Sequence, residues 1–263
     1  MNPAHTFDPH QHVRQIVIAG LGGTGSQLAR SVARMVYDMR RRRQHTPELL
    51  FVDPDVVEAR NVGRQLFTPA DAGHPKAESL ARRFNYALGL DIAWANQPLD
   101  SQRHVARGTV VLGAVDNHAA RAEMARAEGV IWIDCGNHFA SGQVAIGNTG
   151  DREQVMHRMR SGRYFYLPHA GLLFPALLQP EPEGQGAPTR EPAASCAQLV
   201  ENGQQHLLVN DFMALAAAQY LYQLLHRQPI TSFLTYVNSR DLSMCSLPIG
   251  EAELLPYLQA EPH

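Results

Sequence analysis

The chain has 263 residues, enough for one large domain, and its 44% hydrophobic and 18% charged content is ordinary for a globular protein. A formal net charge of −2 argues against nucleic acid as a partner, because such binders carry a basic surplus. The polar start of the chain lacks a signal-peptide pattern, the apolar stretches are too interrupted to span a membrane, and the three cysteines are not closely spaced, so a reducing cytoplasm is the expected compartment.

Gln15–Ala19 (QIVIA) is a short β-branched run that predicts a strand. Gly20-Leu21-Gly22-Gly23-Thr24-Gly25-Ser26 follows, in the pattern G-x-G-x-x-G. Leu28, Val32, Met35 and Val36 then recur at helical spacing and predict a helix over 27–39. Strand, glycine turn and helix in that order make a phosphate-binding turn: glycine lets the backbone approach a ligand, and the helix start supplies N–H groups. The pattern does not separate NAD from ATP. The four arginines 40–43 suit a helix C-terminus, where cations complement the dipole.

Residues 49–52 (LLFV) predict a second buried strand ending at Asp53, where a carboxylate in a dinucleotide fold bonds ribose hydroxyls. Asp55 is the runner-up for that role and reads better as a turn residue. Asn61, Arg64 and Gln65 follow in a polar loop; an arginine fork there could offset charge that builds up during phosphoryl or adenylyl transfer. Lys76 is the one lysine among 23 basic residues, and it stands at the start of a predicted helix, Lys76–Leu88. A cation there opposes the helix dipole, a conflict that an anionic ligand would remove.

Further strands are predicted over 91–96, 109–112 and 130–134, with a helix over 117–128, and Asp134-Cys135-Gly136-Asn137 reads as a polar turn. Asp116 and Asn117 follow a strand at its carboxyl edge, where Asp116 could hold Mg²⁺. Arg121 reads equally as a functional or a pairing residue. Residues 143–146 predict a strand, 179–195 a mobile Pro/Glu-rich loop, 207–225 a core helix, and 233–237 with 242–246 an antiparallel hairpin. The expected fold is α/β, a Rossmann-like mainly parallel sheet with helices on both faces and an antiparallel C-terminal extension. Residues 1–250 are expected to form one domain, followed by a short helix or tail over 251–263.

Four pieces in order resemble the ThiF/MoeB/HesA family of ubiquitin-activating-enzyme-like adenylating proteins. They are GLGGTGS at 20–26, D-P-D-V-V-E-x-x-N-x-x-R-Q at 53–65, G-H-P-K at 73–76 and D-N-x-x-x-R at 116–121. The resemblance implies an ATP–Mg²⁺ site that adenylates the C-terminal glycine carboxylate of a small ubiquitin-like, β-grasp protein. By motif position, Gly20, Gly22, Gly23, Gly25 and Ser26 would form the nucleotide loop and Asp53 would bind ribose. Asn61, Arg64, Gln65 and Lys76 would contact phosphates, Asp116 would hold the metal, and Asn117 beside it would help bind the nucleotide. Cys196 occupies the place from which many members take the acyl group as a thioester. The paired C-x-x-C motifs that hold zinc in many members are absent, so no zinc is expected. A homodimer with an arginine delivered across it occurs in close relatives, but their N-terminal R-Y-x-R-Q segment has no counterpart here. Size, arginine usage and the S-C-A-Q-L segment at 195–199 look most like the ThiF-like member of PRTRC cassettes. The rival readings are an NAD(P)-dependent oxidoreductase and a silent nucleotide-binding scaffold.

Overall fold

A computed structural model describes residues 5–160, 164–180 and 208–259. Eight strands form one sheet: β1 (Gln15–Ala19), β2 (Glu48–Val52), β3 (Ile92–Ala95), β4 (Thr109–Gly113), β5 (Ile131–Asn137), β6 (Ser141–Gly147), β7 (Ser232–Asn238) and β8 (Ser243–Pro248). Their spatial order is β3-β2-β1-β4-β5-β6-β7-β8. The first five are mutually parallel, and β5 to β8 pair antiparallel. This is the expected α/β sheet with its antiparallel extension. The parallel strands read as unbroken apolar runs because both faces are covered, and all five residues of β4 are buried.

The helices are α1 (Gly23–Arg41), α2 (Lys76–Leu88), α3 (Ser101–His104), α4 (His118–Arg126), α5 (Arg152–Arg160), α6 (Ala170–Leu173), α7 (Val209–Leu225) and α8 (Glu251–Gln259). α2, α1 and α7 lie side by side, while α3, α4, α6 and α8 form a second connected set. The chain leaves β1 toward β2 on one side and β4 toward β5 on the other. The order therefore reverses between β1 and β4, and in open α/β sheets ligands bind outside the carboxyl ends of the strands at such a point.

Three local expectations are corrected. Helix α1 starts at Gly23, not at residue 27, because glycines 23 and 25 enter the first turn where packing leaves no room for a side chain. The Asp134–Asn137 stretch is not a turn: Cys135, Gly136 and Asn137 continue β5, since β6 supplies antiparallel partners as far as Asn137↔Gly142. Asn117 precedes α4 and caps it, accepting from the Ala120 N–H at 2.9 Å. The short helices α3 and α6 and the helix α5 were not legible in the periodicity. At the C-terminal end α8 is a helix that buries Leu254 and Leu258 in the core. Most of the Pro/Glu-rich loop, residue 207 of the long predicted helix, and Cys196 lie outside the described residues. Among the described residues no helix is long and apolar enough to cross a membrane.

Candidate functional site

The glycine loop leaves β1 with Gly20 at φ +83°, a left-handed conformation that favours glycine. A Cβ there would lie 2.6 Å from the Ala114 carbonyl oxygen, so the loop crosses the end of β4 at backbone contact. Gly25 is tighter still, its missing Cβ falling 1.8 Å from the Gly20 oxygen. Gly22 differs. A Cβ at that position would meet nothing nearer than the Gln65 Nε2 at 3.9 Å. The first two close the turn and seat α1, and Gly22 leaves open space above the helix start.

Asp53 stands at the end of β2, 3% exposed. Its Oδ2 accepts from the Leu21 N–H at 2.5 Å and its Oδ1 from the Asp55 N–H at 2.8 Å. Burial pushes its carboxyl above the ordinary value; the Lys76 ammonium and these two N–H groups act the other way. Asp53 therefore ties the glycine loop to the strand beside it.

Lys76 is 8% exposed, and its Nζ donates to Asp55 Oδ2 at 2.7 Å. Its backbone N–H also donates to the Asp55 carbonyl at 2.9 Å. The cation that works against the α2 dipole is thus offset by Asp55, a role the turn-residue reading of Asp55 missed. Gly73, at φ +84°, and the bond from its N–H to the Val57 carbonyl fold the segment before α2 onto the one after β2.

In the intervening loop, buried Asn61 accepts from the Glu58 N–H at 2.8 Å through Oδ1. The Asn61 carbonyl receives the N–H groups of both Arg64 and Gln65. Arg64 is half-buried. Gln65 Oε1 is buried with no hydrogen-bond partner. Ser26 faces the protein: its hydroxyl donates to the Gly23 carbonyl and accepts from the Leu66 N–H, each at 3.2 Å. It thereby fastens the 61–66 loop to α1.

Across the switch point Asp116 is exposed, two residues beyond Ala114. Among the described residues no three His, Cys, Asp or Glu side chains gather as a metal-holding cluster. Arg121 proves to be a pairing residue: 8% exposed, its Nε reaches Asp134 Oδ1 at 3.4 Å and an Nη reaches the Cys135 carbonyl at 3.4 Å. Burial raises the Asp134 carboxyl above its ordinary value, and Arg121 opposes the shift. Gly113 makes room for this pair, since a Cβ there would fall 2.9 Å from Asp134 Oδ1. Burial also pushes the Cys135 thiol far up, which makes it a poor nucleophile at neutral pH.

Sequence reasoning also missed Asn137 and Asn210, which meet Thr24 beside the first turn of α1. The only signals were indirect: Asn137 in an apparent turn and Asn210 as a polar interruption of an apolar stretch.

The fold is similar to solved structures that share little sequence with this chain. Escherichia coli MccB with ATP aligns at a TM-score of 0.58 and 16% identity, over 90% of this chain and 64% of that one. The same enzyme with MccA-N7isoASN gives 0.59 and 15%, over 90% and 65%. PaaA gives 0.52 and 12%, over 90% and 64%. The chain thus spans a little under two thirds of the structures it matches. No curated protein sequence matches it. The ThiF family profile matches residues 11–249. With nearly the whole chain matched in this way, the protein belongs to the ThiF family.

Proposed function

We propose that the protein uses ATP to adenylate a carboxylate, and that its substrate is the C-terminal glycine of a small ubiquitin-like protein. The observation that carries this reading is the open cradle at Gly22, edged by the Gln65 carboxamide, whose Nε2 is the nearest atom to an added Cβ at 3.9 Å. Both features suit a bound phosphate group: open space over a helix N-terminus, and amide N–H donors at its edge. The MccB structures with ATP, and with AMPCPP and MccA, support this reading, since a protein of this fold holds a nucleotide together with MccA.

In the proposed reaction a substrate carboxylate oxygen attacks the α-phosphorus of ATP. A new P–O bond forms, the bond to the β-phosphate breaks, and pyrophosphate leaves with that electron pair. Arg64 and Lys76 offset the charge that grows on the phosphate oxygens in the transition state. Lys76 reaches them by swinging on its flexible stem away from exposed Asp55. Mg²⁺ fits a donor set of one exposed carboxylate, Asp116, completed by phosphate oxygens, because it keeps few protein ligands; bound there, it would neutralise phosphate charge. Asp53 takes the ribose. In a second step the thiolate of Cys196 would attack the acyl carbonyl and expel AMP, forming a thioester. The partner would be encoded beside this gene, as in a PRTRC cassette, and both proteins would act in the cytoplasm.

The test is ATP–pyrophosphate exchange with neighbouring small proteins that end in glycine. Wild type supports exchange, and Lys76→Ala and Asp116→Ala each reduce it by about 100-fold or more. Exchange at the wild-type rate in both variants would sink the assignment. Titration with NADH against ATP–Mg²⁺ separates the oxidoreductase alternative, which requires NADH to bind the more tightly.

A further inference from the structure

Three side chains from distant parts of the chain meet beside the glycine loop. Thr24 lies in the first turn of α1, Asn137 is the last residue of β5, and Asn210 is the second residue of α7. Thr24 Oγ1 donates to Asn210 Oδ1 at 3.0 Å. Asn137 Nδ2 donates both to Thr24 Oγ1 at 2.7 Å and to Asn210 Oδ1 at 2.6 Å. The single Thr24 proton and both lone pairs of Asn210 Oδ1 are thereby used, so each group has one consistent role. Three mutual hydrogen bonds with fixed donor and acceptor roles hold these side chains rigidly. The Asn210 carboxamide also presses on the loop backbone, because a Cβ at Gly23 would lie 2.6 Å from its Nδ2.

The fold does not depend on this joint for cohesion. α1 and α7 pack side by side, burying residues such as Leu28, Val32, Met213 and Ala217. What the joint fixes is the attitude of one turn. The first N–H groups of α1 have no partner inside the helix, and such groups are the ones a phosphate engages. Thr24 belongs to that turn, and Asn137 and Asn210 hold it from two other elements. Asn137 Oδ1 is left buried with no partner, a cost that cores avoid and functional sites retain.

We propose that Thr24, Asn137 and Asn210 are positioning residues: they clamp the first turn of α1 so that its N–H groups stand pre-aimed at the nucleotide phosphates. The proposal rests on the nucleotide reading above. It goes beyond the motifs that suggested that reading, since Asn137 and Asn210 lie outside all four.

The experiment measures binding of AMPCPP by calorimetry and of adenosine by ligand-observed NMR. It compares wild type with Thr24→Val, Thr24→Ser and Asn210→Ala, and thermal unfolding of each variant is followed in parallel. The clamp requires Thr24→Val, which keeps shape and loses the hydroxyl, to weaken AMPCPP by about tenfold, and Asn210→Ala to do the same. Thr24→Ser restores the hydroxyl and recovers the affinity. Adenosine, which has no phosphate, binds all variants alike. AMPCPP affinities within about twofold of wild type for Thr24→Val would overturn the clamp, as would an equal loss of adenosine binding. If Asn210→Ala does not fold, the Thr24 pair decides alone. Absence of AMPCPP binding by wild type would overturn the nucleotide reading itself, which is a distinct result.

Discussion

Two alanine substitutions in the glycine loop, Gly22→Ala and Gly25→Ala, should fail in opposite ways. At Gly25 the new Cβ would sit 1.8 Å from the Gly20 carbonyl oxygen, far inside the 3.4 Å at which ordinary contact begins. The Cβ is fixed rigidly to its own backbone and the oxygen is a backbone atom, so no side chain can rotate away; α1 must move off the end of β1. Overpacking of this kind costs about 1–3 kcal/mol, and a rigid backbone clash puts it at the upper end. For a chain of this size that lowers Tm by roughly 6–12 °C. At Gly22 the nearest atom to a new Cβ is the Gln65 Nε2 at 3.9 Å, so no clash opposes it and the cost should stay well below that at Gly25. The methyl group instead occupies the open space over the helix start. The assay is thermal unfolding with and without AMPCPP. At about 100 times its Kd the ligand stabilises wild type by about 2.7 kcal/mol, or roughly 5–10 °C. Gly22→Ala should keep the unliganded Tm and lose this gain. A wild-type gain in Gly22→Ala would refute the idea that phosphates approach over Gly22. An unchanged Tm in Gly25→Ala would refute the tight seating of α1.

Arg121→Met strands the buried Asp134 carboxylate and should cost about 3–5 kcal/mol, read as a shift of the urea midpoint; adding Asp134→Asn should recover most of it. His169 and His104 are both held below the ordinary histidine value of 6.5, chiefly by burial. Their unfolded forms take up protons that the folded forms refuse, so their contribution is full above 6.5 and is lost as pH falls below it. His169→Asn keeps an acceptor for the Leu172 N–H without titrating, so the decline of urea midpoints from pH 7 to pH 5, about two units, should flatten; an unchanged slope would exclude His169 as a source. Buried Cys135 should resist thiol reagents in the native protein while exposed Cys245 reacts, and mass spectrometry of the labelled peptides reads both.

The local signals were legible because they are written in consecutive residues. The β-branched run before Gly20 and the apolar spacing after it made strand and helix, and the glycines between them could only be a turn at close quarters. Lys76 stood out by being the single lysine. The ends of elements were harder, because hydrogen-bonding partners set them. Asn137 looked like part of a turn until β6 was there to pair with it, and glycines 23 and 25 looked like loop until the packing of α1 drew them into the helix.

What the sequence determined by itself is the α/β architecture and the glycine loop at the end of the first strand, since periodicity and the freedom of glycine act within a few residues. Only the tertiary structure decided which polar groups meet. Lys76 pairs with Asp55, 21 residues away; Arg121 lies on Asp134; and Thr24 is held by Asn210 across 186 residues of chain. A buried polar group must find a partner wherever the packed chain brings one, and no local pattern encodes that choice.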